Sequence, residues 1–518
     1  MTASQEYLAL SSADSNTNTK DDNVPEADEI LVGTEAAPLR RKKVSSLASR
    51  RRRSNHNNTA TTGKRISSGW VSSTLLHVCL LAIYLVPMIQ QLQQSIETGN
   101  HGATPVLDEL HLLSPTEHHD IYDAHVRWEQ IFTNDYWGRP MNSPSSHKSW
   151  RPLTVLSFRY FRVATSSNGN HQIHHHTTQN RKWWLMVSNM MYDNVFVQRL
   201  WNVLTHAAIA QGVGILAYRF VSSSSQSAQQ QQHAVVVRHL AQWIFALHPT
   251  HVEVTANAAN RSHLWAVLCA VWLCGLDFHA KDGLLLLFLQ FCLFLALMVA
   301  GFLSSETFLF AIVPVAVTRA LLEILQHQQS QPTSGNEDNH KSNSNNNKRY
   351  RTTIGRIFLT WTLLGMSGLA YYGMRYHWDW LSIPDGLIRP AENPFFALQG
   401  WDRVRSYAYV TVVHMLKAWD WDIVGFSHEY GHACILPITK WTDARLIVTG
   451  GVLGLYAVVA VAWTWYTWQQ YNKRRTMPRA AKRHGSFLST TGYLLWILHL
   501  SWMVTLFPIT GIVKVGTF

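Results

Sequence analysis

Twenty consecutive residues from Leu284 to Leu303 (LLLLFLQFCLFLALMVAGFL) carry no charged side chain. That is the length and apolarity an α-helix needs to cross the roughly 30 Å hydrocarbon core of a bilayer. Backbone placed in lipid must satisfy its own hydrogen bonds, which leaves a helix as the form such a run takes. The pattern recurs at Trp70–Leu92, Arg199–Phe220, Val235–Leu247, His263–Phe278, Phe308–Leu325, Ile354–Tyr372, Leu446–Tyr466 and Tyr493–Ile509. The sequence therefore predicts an all-α polytopic membrane protein with about nine spans. Interfacial or re-entrant helices in 405–437 would raise the count towards eleven.

A mean hydropathy of −0.07 conceals this, because it averages apolar runs with very polar tails and linkers. The net charge of +12 raises a nucleic-acid reading. The basic residues, however, cluster at 39–65, 341–356 and 473–483, beside apolar runs, so they read as topology signals. No nucleic acid is expected as a partner. Residues 1–69 lack apolar periodicity and are expected to form a disordered cytosolic tail. Residues 70–374 form a membrane domain with a first lumenal loop at 95–182. Residues 375–445 form a second lumenal region, and 446–518 the C-terminal transmembrane helices. The N-terminus is then cytosolic and the C-terminus lumenal. No cleavable signal is visible, since the first apolar run begins near Trp70, and it reads as a signal anchor. Five cysteines, four inside apolar runs, do not form a disulfide framework.

One polar stretch stands out, Trp128 to Arg159 (WEQIFTNDYWGRPMNSPSSHKSWRPLTVLSFR). It mixes Asp135, Arg139, His147, Lys148 and Arg151 with Phe132, Tyr136, Trp137 and Trp150. Two readings stay open: a folded loop whose aromatics are its own small core, or a floor for an anionic headgroup. Arg and Lys near rings bind phosphate well, which is the case for the second.

IFTNDYWG followed by HKSWRPLTVLSFR resembles the first lumenal loop of the transmembrane and TPR repeat-containing O-mannosyltransferases. That resemblance implies a C-type glycosyltransferase fold in the endoplasmic reticulum membrane. Three further blocks carry it. VLDEL places the acidic pair Asp108 and Glu109 before the loop, where the family usually has Asp-Asp. ALHPTHVEVTANAANRSHLWAV is similar to the family's HPxHxEAVAxxxGRAD block, matching at His248, Pro249, His251, Glu253 and Arg261. Its Ala-Asp after the Arg is Ser262-His263 here. LSSETFL matches a CKE-type turn at Glu306, with Ser305 in place of Lys.

The resemblance implies transfer of mannose from the lipid donor dolichyl-phosphate mannose to Ser or Thr hydroxyls of secretory-pathway proteins. Asp108, with Glu109, is the implied catalytic base. Arg261, with Lys148 and Arg151, is the implied holder of the donor phosphate. His248, His251, Glu253 and Glu306 are further candidates. Each has a plainer reading: charged groups at helix ends snorkel, and Glu306 alone could be a helix cap. No cofactor is firmly implied, no metal ligands are assigned, and dependence on a divalent cation stays open. The family's lumenal TPR repeats have no 34-residue counterpart here. A lumenal partner in their place, a truncated chain, or a catalytically silent scaffold or lipid-binding relative are the alternatives. His428-Glu429-Tyr430-Gly431-His432 fits HExxH, so a membrane zinc peptidase is a further alternative, although no attractive third ligand follows. HQIHHH at 171–176 reads as low complexity rather than as a metal site.

Overall fold

The computed structural model describes residues 108–162, 194–223, 228–276, 283–329, 339–381, 398–418 and 436–476, apart from single positions, with parts of 75–94 and 496–505. All of them lie in the compact unit spanning 62–518. The expected tail 1–69, the HQIHHH tract and the HEYGH motif lie outside the described residues.

Four short helices build the first loop: α1 (Asp108–Leu113), α2 (His119–Tyr122), α3 (Trp128–Ile131) and α4 (Pro152–Tyr160). Long helices follow: α5 (Asn194–Ser222), α6 (Ala228–Leu247), the short α7 (Thr250–Ala256), a 3₁₀ turn Ala258–Asn260, and α8 (Arg261–Gly275). The rest are α9 (Leu284–Ser304), α10 (Phe308–Gln329), α11 (Asn339–His377), α12 (Gly400–Ala418) and α13 (Arg445–Thr476). Every element is helical among the described residues, and the sole β-bridge there joins Asn134 to Pro140. The chain is an all-α polytopic membrane protein.

Among the described residues, four helices are long and apolar enough to cross a bilayer: Asn194–Ser222, Leu284–Ser304, Phe308–His327 and Arg445–Gln469. They match four of the expected spans closely. The run expected as a span at His263–Phe278 forms only the 15-residue α8, about 22 Å long at 1.5 Å per residue. Its last turn ends inside the protein. Arg319 of α10 donates from Nη1 to the Leu273 and Leu276 carbonyls, 2.6 Å each, and Arg219 of α5 donates to Gly275. Carbonyls that a helix C-terminus leaves without partners are met by two guanidinium groups.

α8 packs against α5, α9 and α10, and α10 against α11. The largest core joins Leu273 and Cys274 of α8, Phe294 and Met298 of α9, Val315 of α10 and Leu364 of α11. Met141 and Trp150 of the loop reach into the same core, so the loop is seated on the helix ends. α9 and α10 turn tightly on each other because Gly301 lies against the Phe308 ring, where a Cβ would come within 2.6 Å of ring atoms.

The loop also has a core of its own, with Leu112, Ile121, Ile131, Tyr136, Val155 and Phe158 packed against Val195, Ala258 and Ala259. Each fully buried aliphatic or Phe side chain there contributes roughly 1.5–3 kcal/mol. Pro152 starts α4, where its fixed φ suits a helix and its missing N–H leaves no orphan donor.

Candidate functional site

The acidic pair divides into two roles. Glu109 is fully buried and gives both carboxylate oxygens to Arg199 of α5, Oε2 to Nη2 at 2.6 Å and Oε1 to Nε at 3.1 Å. Oε1 also accepts the Ala258 backbone N–H at 2.5 Å. One carboxylate thus pins α1, α5 and the 3₁₀ turn together. Asp108, one position earlier and about 100° around the helix, is exposed at the start of α1.

Asp135 organises the loop that follows. Its buried carboxylate accepts the backbone N–H of Trp137 (3.0 Å), Arg139 (2.9 Å) and His147 (3.0 Å) and the Ser146 hydroxyl (2.8 Å). Gly138 takes φ +79° in the turn this knot closes, a conformation glycine adopts at little cost. Next in the chain, the buried Tyr136 donates its hydroxyl to the Ala259 carbonyl at 2.7 Å, tying the loop to the 3₁₀ turn. Burial pushes that phenol well above its ordinary range, against the pull of Arg151 and Arg261.

Lys148 sits at φ +57° and is buried, with its ammonium on the Met141 carbonyl. Its own carbonyl accepts from Arg375 Nη2 at 2.7 Å, joining the loop to the end of α11. Arg375 also donates to the Trp380 carbonyl at 2.7 Å and to the Tyr371 hydroxyl at 3.1 Å.

Arg151 lies at the centre of the cluster. Its guanidinium is forked on Glu306, with Nε to Oε2 at 3.1 Å and Nη2 to Oε1 at 3.0 Å. Nη1 donates to Ser262 at 3.0 Å, and the guanidinium carbon lies 5.0 Å from the Tyr136 ring centroid. Glu306 is therefore an ion-pair partner rather than a helix cap. Burial raises its carboxyl, but the guanidinium of Arg151, with Arg375 behind it, outweighs burial and holds it down to about 2. Its side chain keeps 28% exposure while that of Arg151 keeps 8%, so Glu306 is the solvent-facing half of the pair. His263 borders it, its Nδ1 3.5 Å from the Thr307 hydroxyl.

Arg261 is fully buried, and no carboxylate lies within 4.0 Å of it among the described residues. Neutral groups hold it instead: Asn202 Oδ1 on Nε (3.1 Å), Ser157 Oγ on Nη1 (3.3 Å) and the Gln198 carbonyl on Nη2 (2.7 Å). The Phe158 ring centroid is 4.2 Å from its guanidinium carbon. A buried cation without a counter-ion is costly unless its N–H groups are satisfied and its charge spread.

The remaining candidates lie further along. His251 stands on α7 with Nδ1 2.7 Å from the Phe245 carbonyl, and its ring centroid is 5.4 Å from that of His248. Glu253 is on α7 too, but its side chain is not among those described. Among the described residues no group of three His, Cys, Asp or Glu side chains is placed to hold a metal ion.

Arg151, Arg261, Glu109, Lys148 and Glu306 are thus brought into one polar cluster with Tyr136. His251 packs instead against His206, Phe245 and His248. Sequence reasoning missed Arg199, Gln198, Asn202 and Arg375. The first three carry a signal that could have found them, since polar side chains inside an apolar run face the bundle interior.

No family model matches the chain, and no solved structure matches it. Curated relatives do. It is 30% identical over 147 residues to the Drosophila melanogaster protein O-mannosyl-transferase Tmtc3, a stretch covering 28% of this chain and 14% of that protein. It is 24% identical over 337 residues to Tmtc1 of the same organism, covering 64% of this chain and 33% of the relative. Against human TMTC4 it is 30% identical over 146 residues, 27% of this chain and 16% of the relative. The chain spans a third or less of the length of these relatives. The family that the loop motifs resemble and the family of these relatives are one and the same, the TMTC O-mannosyltransferases.

Proposed function

We propose that the chain is an endoplasmic reticulum membrane glycosyltransferase that moves mannose from dolichyl-phosphate mannose to Ser or Thr hydroxyls of proteins. One observation carries this reading. Four sequence blocks that resemble the family, spread from residue 108 to residue 306, close on each other through Glu109–Ala258, Tyr136–Ala259, Arg151–Ser262 and Arg151–Glu306.

The mechanism is an inverting displacement. Asp108 takes the proton of the acceptor hydroxyl, whose oxygen attacks the anomeric carbon from the face opposite the phosphate. The bond from that carbon to the phosphate oxygen breaks, and its electron pair leaves with dolichyl phosphate. The Glu109–Arg199 pair fixes the helix that carries Asp108. Arg151, whose carboxylate partner faces solvent, meets the donor phosphate, with Lys148 beside it. Fixed cations at a developing negative charge are a usual source of rate enhancement. Arg261, enclosed by neutral acceptors, supports the floor beneath them and adds its charge at longer range.

A catalytically silent relative is the second reading. The carboxylate of Glu109 and the fork of Arg151 are already closed on protein partners, as a purely structural cluster would have them. Transfer of labelled mannose from dolichyl-phosphate mannose to a microsomal acceptor pool separates the two. Wild type should transfer, and Asp108→Asn, expressed at the same level, should lose roughly 10²–10⁴-fold. Equal transfer by both removes Asp108 from the mechanism, and absence of transfer by wild type over a wide acceptor panel supports the silent relative.

A further inference from the structure

Two neighbours at the start of α8 face two neighbours in the turn between α9 and α10. Arg151 joins one pair, donating from Nη1 to Ser262 at 3.0 Å and from Nε and Nη2 to Glu306 at 3.1 and 3.0 Å. The other pair meets directly, with His263 Nδ1 3.5 Å from the Thr307 hydroxyl. Thr307 is steadied in turn by Ser305, whose hydroxyl oxygen lies 2.8 Å from its own. The charges of Arg151 and Glu306 both act on the imidazole, so His263 and Glu306 are neighbours at the rim of the cluster.

Both keep hydrogen-bonding capacity. Arg151, Ser262 and Ser305 are buried, whereas Glu306 is 28% exposed and His263 is half-buried, so a ligand entering from solvent reaches these two. Each Glu306 oxygen accepts one N–H from Arg151, and a carboxylate has lone pairs for about four donors. Among the described residues the imidazole finds a hydrogen-bond partner only at Nδ1, which leaves Nε2 for a ligand.

The chemistry of the pair selects that ligand. An anion is repelled by the carboxylate, and a cation meets the guanidinium behind it. A neutral hydroxyl suits both side chains, since it donates to the carboxylate while its oxygen accepts from the imidazole. If Arg151 meets the donor phosphate, as the proposed function has it, the sugar on that phosphate comes to lie against Glu306 and His263. The hydroxyl nearest a glycosyl phosphate is the one on the carbon next to the anomeric carbon. Mannose and glucose differ at that carbon.

We propose that Glu306 and His263 form the sugar seat of the site and read the second-carbon hydroxyl of the donor hexose, an inference that rests on the glycosyltransferase reading. The hydroxyl donates to a remaining lone pair of Glu306, and its oxygen accepts from Nε2–H of His263. Glu306 thus both pairs with Arg151 and holds the sugar. Glucose turns this hydroxyl to the opposite face of its ring and loses the contacts.

The full chain, purified in a neutral detergent, would be incubated separately with dolichyl phosphate, dolichyl-phosphate mannose and dolichyl-phosphate glucose, and the lipid retained counted by native mass spectrometry. Wild type should retain the mannosyl lipid in preference to the other two. His263→Ala should lower that preference roughly fivefold, the worth of one hydrogen bond between neutral groups, and leave retention of dolichyl phosphate unchanged. Glu306→Gln should weaken the preference in the same sense and carries the test if His263→Ala does not fold. Equal retention of the mannosyl and glucosyl lipids by wild type, or a preference that survives in both variants, overturns the sugar seat. The glycosyltransferase reading then stands or falls by the transfer of labelled mannose. Equal losses of dolichyl phosphate and its mannosyl form in His263→Ala overturn the seat in favour of a packing role. Wild type that retains none of the three lipids overturns the seat and the lipid-donor reading together.

Discussion

Arg199 grips Glu109 through both carboxylate oxygens, at 2.6 and 3.1 Å, across ninety residues of chain. Both side chains are withdrawn from water, and the pair joins the first loop to α5. Replacing either partner alone leaves a buried group without its counterpart, so Arg199→Ala or Glu109→Gln should cost about 3–5 kcal/mol. Thermal unfolding of the purified protein in detergent checks this. The double variant should be less unstable than the sum of the singles, and single variants that melt like wild type would show the pair to contribute nothing.

Asp135 accepts four hydrogen bonds while buried, so Asp135→Asn places an amide N–H among donors. The loss should be on the order of 1–3 kcal/mol, and it should be local. Limited proteolysis of the first loop should accelerate, while the unfolding of the helical part changes little. Unchanged cleavage within 128–159 would contradict the knot.

Between α9 and α10, Gly301→Ala puts a methyl within 2.6 Å of the Phe308 ring. Overpacking of this kind costs roughly 1–3 kcal/mol. Adding Phe308→Leu should restore much of the loss in the same melting experiment, and an alanine variant as stable as wild type would argue against the close approach.

The Glu306 carboxyl sits near 2 in the folded protein against an ordinary 4.5. A depressed acid contributes stability that is present above its unfolded value and is lost as pH falls through the folded one. Wild type should therefore exceed Glu306→Gln above pH 4.5, by roughly 1 kcal/mol given the partial exposure of the pair. The gap should close between pH 4.5 and 2. Acid titration of both proteins by tryptophan fluorescence measures it, and parallel curves would mean that the Arg151–Glu306 pair does not form in solution.

The long helices were legible from the sequence because their signal is local. An uncharged run from Leu284 to Leu303 sets α9 almost residue for residue, and Phe308 and Arg445 open α10 and α13 close to where the apolar runs begin. The first loop was legible as a unit, but its aromatics divide: Tyr136, Trp137 and Phe158 join a core of the loop itself, while Phe132 and Trp150 pack into the core of the long helices. The pairings were not legible. Arg151 and Glu306 are 155 residues apart, and no periodicity relates them. Nor does anything in the string ANRSH announce that Arg261 lies among neutral acceptors. The cue was in another helix, where Gln198 and Asn202, four apart, present polar groups on one face of an apolar run. α8 is apolar as well, and most of its side chains are buried among α5, α9 and α10.

The shortness of α8 has a physical corollary. Lipid-facing helices must tilt or bend when the hydrocarbon layer thickens or thins, at a modest cost per ångström. α8 packs mostly against α5, α9 and α10, and its final carbonyls are held by Arg219 and Arg319 rather than by the water boundary. A change in membrane thickness should therefore be absorbed by the more exposed α9 and α13, while α8 stays in place as a fixed strut. The loop seated on the first turn of α8 would keep its geometry in membranes of different thickness.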